Sequence, residues 1–290
     1  MKRKLVKQGS STLMISLPSK WVKLNNLDKG SEIDLEERGR ELTISPSIKT
    51  IENKAKVEVA GFDLLINRIL VSLYIRGYEE VELIFKDREE IKKLKKHVID
   101  ELLGFEIIKQ TQNRVVIRDL TGFEKQNIDD IVKRIFFIID GMLEDLINAV
   151  HKKQSLDDIS SLDSSINKLV HFSLRILNSR GHSNQEKTTS FYGIISILEQ
   201  IGDIIKQLIN DLKKEKISSS QIGVIEKIKL FLNNFEKIIF NFNREDAIRF
   251  ARLYEEIKQS LKTKDKIDFR LSQLNEAIIR MNNYLLMSVF

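Results

Sequence analysis

The sequence predicts an α+β chain, mainly α, built from three parts. Three observations carry this reading. Both prolines, Pro18 and Pro46, lie in the first 46 residues, and none follows to interrupt a helix. Alternating apolar positions, the period of a strand, are confined to the part before about residue 120. From about residue 125 the 3.6-residue period of amphipathic helices takes over. The parts are a β-rich head at 1–46, a small α+β segment at 55–120, and a helical body at 125–290. The body divides into two three-helix repeats, 125–216 and 218–290.

In the head, Lys4 to Gln8 reads as a short extended run, followed by a turn at Gly9-Ser10-Ser11. Leu13, Ile15 and Leu17 alternate with Thr12, Met14 and Ser16, which predicts a second strand. Pro18 suits the first turn of a short helix, because its missing N–H is not needed there. Trp21, Val22 and Leu24 give that helix an apolar face. After the Asp28-Lys29-Gly30 turn, Glu32 to Leu35 and Glu41 to Ile44 predict a hairpin about Arg38-Gly39-Arg40. A unit this short cannot build an independent core, and it has no cysteine or metal motif to staple it. The staple that remains is a second copy, so residues 1–46 are expected to fold as an interleaved homodimer.

The middle segment predicts an apolar helix from about Phe62 to Arg76, ended by Gly77, and a strand from Val81 to Phe85. A charged helix follows from Asp87 to about Leu103, with Gly104 as its C-cap. Phe105 to Gln110 and Arg114 to Arg118 then pair across Gln112-Asn113. A dimerisation or spacer role is the default here.

Six apolar stripes mark the helices of the body. They begin at Ile128, Ile159, Phe191, Ile222, Ala247 and Ile267, and the fifth opens on Asn243, a good N-cap. Val170-His171-Phe172 and the phenylalanines of the fourth helix read as core filling.

Composition narrows the function classes. There is no cysteine, which removes disulfides, thiolate metal sites and cysteine nucleophiles, and fits a reducing compartment. The start, MKRKLVKQGS, lacks the apolar stretch of a signal peptide. No apolar run approaches the roughly 20 residues that cross a bilayer, so membrane insertion is not expected and the cytoplasm is. There is no phosphate-binding glycine loop, HExxH, GxSxG or cysteine–histidine arrangement, and the four histidines lack ligand spacing. An enzyme is not expected.

Charge is unevenly placed. Of 48 Lys and Arg, six fall in residues 1–24 with no acidic residue beside them, leaving 42 to balance 42 Asp and Glu in the remainder. The formal excess of +6 therefore sits at one end. A concentrated cationic field suits a polyanion, most simply double-stranded DNA; a solubilising tail is the plainer alternative. Lys2, Arg3, Lys4, Lys7, Lys20 and Lys23 are candidates to neutralise phosphates. Gln8, Ser10, Ser11 and Thr12 are short polar groups suited to phosphates or base edges. Lys20 and Lys23 have the alternative of merely flanking Trp21 in the helix.

In the body, LEQIGDII (198–205) places Glu199 and Asp203 four apart, so both carboxylates point the same way. Gly202 beside them costs about 1 kcal/mol against alanine in mid-helix, and so predicts close approach of another helix. Asp163 heads a similar pair on the preceding helix, closed by Asn167 rather than a carboxylate. Inward carboxylates from neighbouring helices make hard-cation sites in bundles; solvated surface carboxylates are the plainer alternative.

The stretch VKQGSSTLMISLPSKWVKLNNLDKGSEIDLEERGRELTI (6–44) resembles the swapped-hairpin DNA-binding domain of the AbrB/SpoVT/MazE-antitoxin type. The Gly-Ser-Ser turn, the Leu17-Pro18-Ser19-Lys20 helix entry and the Lys29-Gly30-Ser31 turn occur in family order. LLGFEIIKQTQNRVVIRDL (102–120), IIDGMLEDLINAV (138–150) and LEQIGDIIKQLI (198–209) resemble the PhoU helical domain, in the archaeal arrangement where it follows such a head. Together these resemblances imply a phosphate-uptake regulator, a DNA-binding head on a body that senses phosphate status or contacts phosphate transporter components. They also imply a divalent or iron ion held by Asp163, Glu199 and Asp203, although Asn167 and Asn283 stand where the family uses carboxylates. Two rival functions remain: an antitoxin-like protein whose body wraps a toxin, and a PhoU-like transporter partner whose head only dimerises.

Overall fold

A computed structural model describes residues 2–38, 41–46, 53–94, 99–121, 126–152, 155–156, 163–261 and 265–290. The chain is α+β and mainly α, and it forms two compact units, 1–52 and 53–290.

In the first unit, β1 (Val6–Gln8) and β2 (Thr12–Met14) form an antiparallel hairpin that pairs Val6 with Met14 and Gln8 with Thr12. The expected run to Leu17 is paired only as far as Met14, because β1 offers three residues of ladder. Helix α1 (Ser19–Leu24) begins after Pro18, which sits in extended conformation as its N-cap. Strands β3 (Ile33–Arg38) and β4 (Glu41–Pro46) pair antiparallel from Ile33/Pro46 to Arg38/Glu41. Gly39 and Arg40 of the expected turn lie outside the described residues.

The second unit opens on a strand that the sequence reading left out. β5 (Lys54–Glu58) joins β6 (Glu80–Ile84), β8 (Arg114–Asp119) and β7 (Phe105–Gln110) in a sheet of order β5-β6-β8-β7. Helix α2 (Ile66–Ile75) makes the crossover between the parallel pair β5 and β6. Its Ile66, Leu70 and Tyr74, four apart, are fully buried, as are Val81, Leu83, Val115 and Ile117 of the sheet. The other sheet face is a charge ladder: Lys54 and Arg118 flank Glu80, and Lys56 and Arg114 flank Glu82. The charged helix expected from Asp87 to Leu103 begins with α3 (Arg88–Ile91), capped by the Asp87 side chain on the Glu90 N–H at 2.9 Å, and Ile99 and Asp100 are again α-helical. Lys92 to Leu94 continue as a turn, and His97 lies outside the described residues.

Among the described residues six α-helices follow: α4 (Ile128–Lys152), α5 (Asp163–Arg180), α6 (Thr188–Leu212), α7 (Ser219–Phe240), α8 (Arg244–Ser260) and α9 (Lys266–Val289). Ile159 and Leu162 of the expected second stripe lie outside the described residues. Asn243 caps α8, its side chain accepting from the N–H groups of Glu245 and Asp246. Ser218 and Gln221 form a reciprocal capping box at the start of α7. Helices α6 and α9 make the most extensive packing in the unit. Val170, His171 and Phe172 are buried, and so are Phe231 and Phe235, as core filling requires.

The sheet and the helices share one apolar core, and Arg175 ties them. This side chain is fully buried. Its guanidinium donates to the carbonyls of Tyr74 at 2.6 Å and Tyr78 at 2.9 Å, and pairs with Asp119 at 3.0 Å. It also lies over the rings of Tyr74 and Phe105, 4.7 and 5.3 Å from their centroids. Asn178, one turn on, donates to the Ile75 carbonyl. The Ser72, Leu73 and Tyr74 carbonyls accept from the turn that follows α2, and α5 adds further donors and a positive charge where the dipole of α2 is negative. Gly77 follows with φ +100°, and a Cβ there would come within 2.7 Å of Ser179 Oγ on α5.

Arg175→Met is expected to take from Asp119 Oδ2 and from the Tyr78 carbonyl the cation that meets them in the core, costing about 3–5 kcal/mol. Urea unfolding of the full chain measures this, and a cost under about 1 kcal/mol would show that the tie is dispensable.

Candidate functional site

The head carries its cations outward. Lys2, Arg3, Lys4, Lys7, Lys20 and Lys23 are all exposed, as are Gln8, Ser10, Ser11 and Thr12. Four of the cations precede or lie in β1, while the polar four occupy the end of β1, the tight turn and the start of β2. Gly9 holds φ +72° in that turn, which lets the loop reverse over so few residues. Lys20 and Lys23 stand on α1, beside the half-buried Trp21. Among the described residues no side chain of these ten has a hydrogen-bond or ion-pair partner. Basic groups with nothing to neutralise them keep their full field for an external polyanion.

Apolar side chains share this surface. Leu5, Val6, Leu13, Met14, Ile15, Leu24, Leu35 and Leu42 are all more than 40 % exposed. Among the described residues, Leu27 is the one buried hydrophobic side chain of the unit. A single head therefore leaves uncovered the surface that would ordinarily be its core.

The second site lies between α5 and α6. Asp163 opens α5 and is buried, and its Oδ2 accepts from Lys206 Nζ at 2.5 Å. Its other oxygen, Oδ1, is buried without a hydrogen-bond partner, and so is Oδ1 of Asn167 one turn on. Facing them, Gly202 lacks the Cβ that would stand 3.1 Å from Ile166 and 3.7 Å from Asp163 Oδ1. The close approach predicted from this glycine is thus made by α5. Glu199 is half-buried, 3.8 Å from Nε2 of the buried His171, and Asp203 lies at the exposed rim. Burial first, and then the charges of Asp203, Glu101 and Asp163, raise the Glu199 carboxyl above the usual range. Burial holds the His171 imidazole below its usual value.

Asp163, Glu199 and Asp203 are thus brought to one helix pair, but among the described residues no three His, Cys, Asp or Glu side chains are placed to hold a metal ion. Asn283 is exposed on α9. Lys206, missed from the sequence, follows Asp203 by three residues and Glu199 by seven, so helical spacing puts it on the same face. His182 is structural: its Nδ1 accepts from the Asn184 N–H, so Nε2 carries the proton to Asp129 at 2.9 Å.

Residues 6–52 match the family described as antidote-toxin recognition MazE, bacterial antitoxin. Over 275 residues, 93% of its length, the chain is 25% identical to Protein CASP and to Homeobox protein cut-like ceh-44, both of Caenorhabditis elegans. It spans 38% of the first and 18% of the second, well under half of either curated relative. No solved structure matches. Among the described residues no helix is long and apolar enough to cross a membrane.

The raised Glu199 carboxyl has a consequence for pH. Its folded value lies above its unfolded one, so in that window the folded chain binds more protons. The associated stability is complete below the ordinary carboxylate value and is lost as pH rises through the raised value. Glu199→Gln should match the wild type near pH 4 and exceed it near pH 7, with a flatter dependence between. Urea midpoints across that range check it; parallel curves would refute the assignment.

Proposed function

We propose that the protein is a homodimeric DNA-binding regulator, in which two heads interleave and present β1, the 8–12 loop and the start of α1 to duplex DNA. The observation that carries this reading is the coincidence, in one small unit, of unneutralised cations and uncovered apolar side chains. The apolar set calls for a second copy, since about 50 residues cannot close a core alone. The cations then double to about twelve on one dimer, a field suited to phosphates. The match to an antitoxin family over residues 6–52 supports the same arrangement. The homeobox in a relative's name adds nothing, because the chain spans so little of that protein.

We further propose that the helical body is PhoU-like and links the regulator to phosphate uptake, by sensing phosphate status or by touching transporter components. Support comes from the body's six helices, taken as three plus three, and from the resemblance over 102–120, 138–150 and 198–209. The protein acts in the cytoplasm by binding, without catalysis. The second reading, a toxin-binding antitoxin, takes its support from the family's own description. It expects a body ordered only on its partner, whereas the helices of residues 126–290 bury a continuous core by themselves.

Replacing Lys2, Arg3, Lys4 and Lys7 together by glutamine should make duplex DNA binding less salt-dependent. In a dimer the slope of log K against log salt should become shallower by up to about 7. An unchanged slope in a fluorescence-anisotropy salt series would remove the head from the interface. Leu13→Asp with Ile15→Asp should halve the mass seen by light scattering, and a dimer that survives would place the contact elsewhere.

A further inference from the structure

The PhoU resemblance implies a metal between α5 and α6, and the residues present do not fit one. Hard cations take about six or more oxygen ligands, from carboxylates, carbonyls and waters, and in helix bundles the protein supplies several carboxylates from facing helices. Here Asn167 supplies a neutral amide where a second carboxylate would close the pair with Asp163. Among the described residues no three ligand side chains converge. One oxygen of the Asp163 carboxylate, Oδ2, already holds an ammonium at 2.5 Å. We infer that Lys206 is the built-in cation of this cluster, so that its Nζ holds Asp163 in the place a divalent ion would otherwise take, and the body is metal-independent. This does not rest on DNA binding by the head.

The chemistry of the pair favours the lysine. An ammonium is a compact charge with three donors on a flexible stem, able to serve one buried carboxylate while its head stays in contact with water. The Lys206 side chain is 45% exposed and that of Asp163 is 4% exposed, so it reaches from the solvent side into the helix pair. A divalent ion arriving there would have to displace a charge-assisted hydrogen bond. Removal of the ammonium changes the balance. Asp163 would then present two buried oxygens beside the Asn167 carbonyl, opposite Glu199 and Asp203, with only external cations to neutralise them.

The test is metal content and thermal unfolding of the full-length protein, with Mn2+ as the only added ion. Wild type should carry no stoichiometric metal, and its Tm should be indifferent to EDTA and to Mn2+. Lys206→Met should gain a Mn2+-dependent rise of roughly 5–10 °C at a hundredfold excess over Kd. Lys206→Arg, which keeps the charge, should stay indifferent like wild type. A wild type that holds one equivalent of metal and loses Tm in EDTA overturns the inference. So does a folded Lys206→Met that ignores Mn2+. If Lys206→Met folds only with Mn2+, the inference stands; if it folds under no condition, the wild-type metal content decides.

Discussion

The second unit depends on a buried positive charge being met by a carboxylate, two carbonyls and two aromatic rings. A guanidinium sealed in an apolar core is tolerated only when a carboxylate and several acceptors meet it. Arg175 of α5 finds Asp119 at the end of β8, the carbonyls of Tyr74 and Tyr78 around the end of α2, and two aromatic faces. These groups come from three stretches of chain: the end of α2 with the turn after it, the start of β7 and the end of β8. The pairing therefore fixes where the sheet, its crossover helix and the bundle meet.

The two units solve opposite problems. Residues 53–290 bury their apolar stripes within one chain, down to caps that are themselves tied together, as where Gln221 of α7 donates to Asp265 and Asp268 at the start of α9. The head buries Leu27 and leaves the rest of its described large hydrophobic side chains partly or largely open. Its first 24 residues also hold six cations and no acidic residue. A unit that leaves its apolar side chains open and gathers cations at one end is suited to be completed by another copy and by a polyanion. The body, closed on its own core, is suited to carry a signal.

Between α5 and α6 the same electrostatic rule operates near the surface. Burial first, and then the acidic groups gathered at the helix crossing, raise the affinity of the Glu199 carboxyl for protons. A cation relieves that crowding, and here one is already covalently present as Lys206. The glycine at 202 matters because it lets α5 approach closely enough for Asp163 to face these groups.

Much of this was legible in the sequence. Periodicity gave the six helices of the body, the Asn243 cap, the β7–β8 hairpin and the close packing at Gly202, because each depends on residues near one another in the chain. The placement of charge along the head needed no structure either. Strand β5 was missed because Ala55 and Val57 are too weak an alternation among lysines, and it is held by pairing with β6, 26 residues away. The charged helix was read as continuous, whereas Lys92 to Leu94 turn after α3. Lys206 and Arg175 look like ordinary surface cations in one dimension. Only the tertiary structure decided that one meets Asp163 and the other is buried whole, since a charge's role is set by the dielectric and the counter-charges around it, and these arrive from distant parts of the chain.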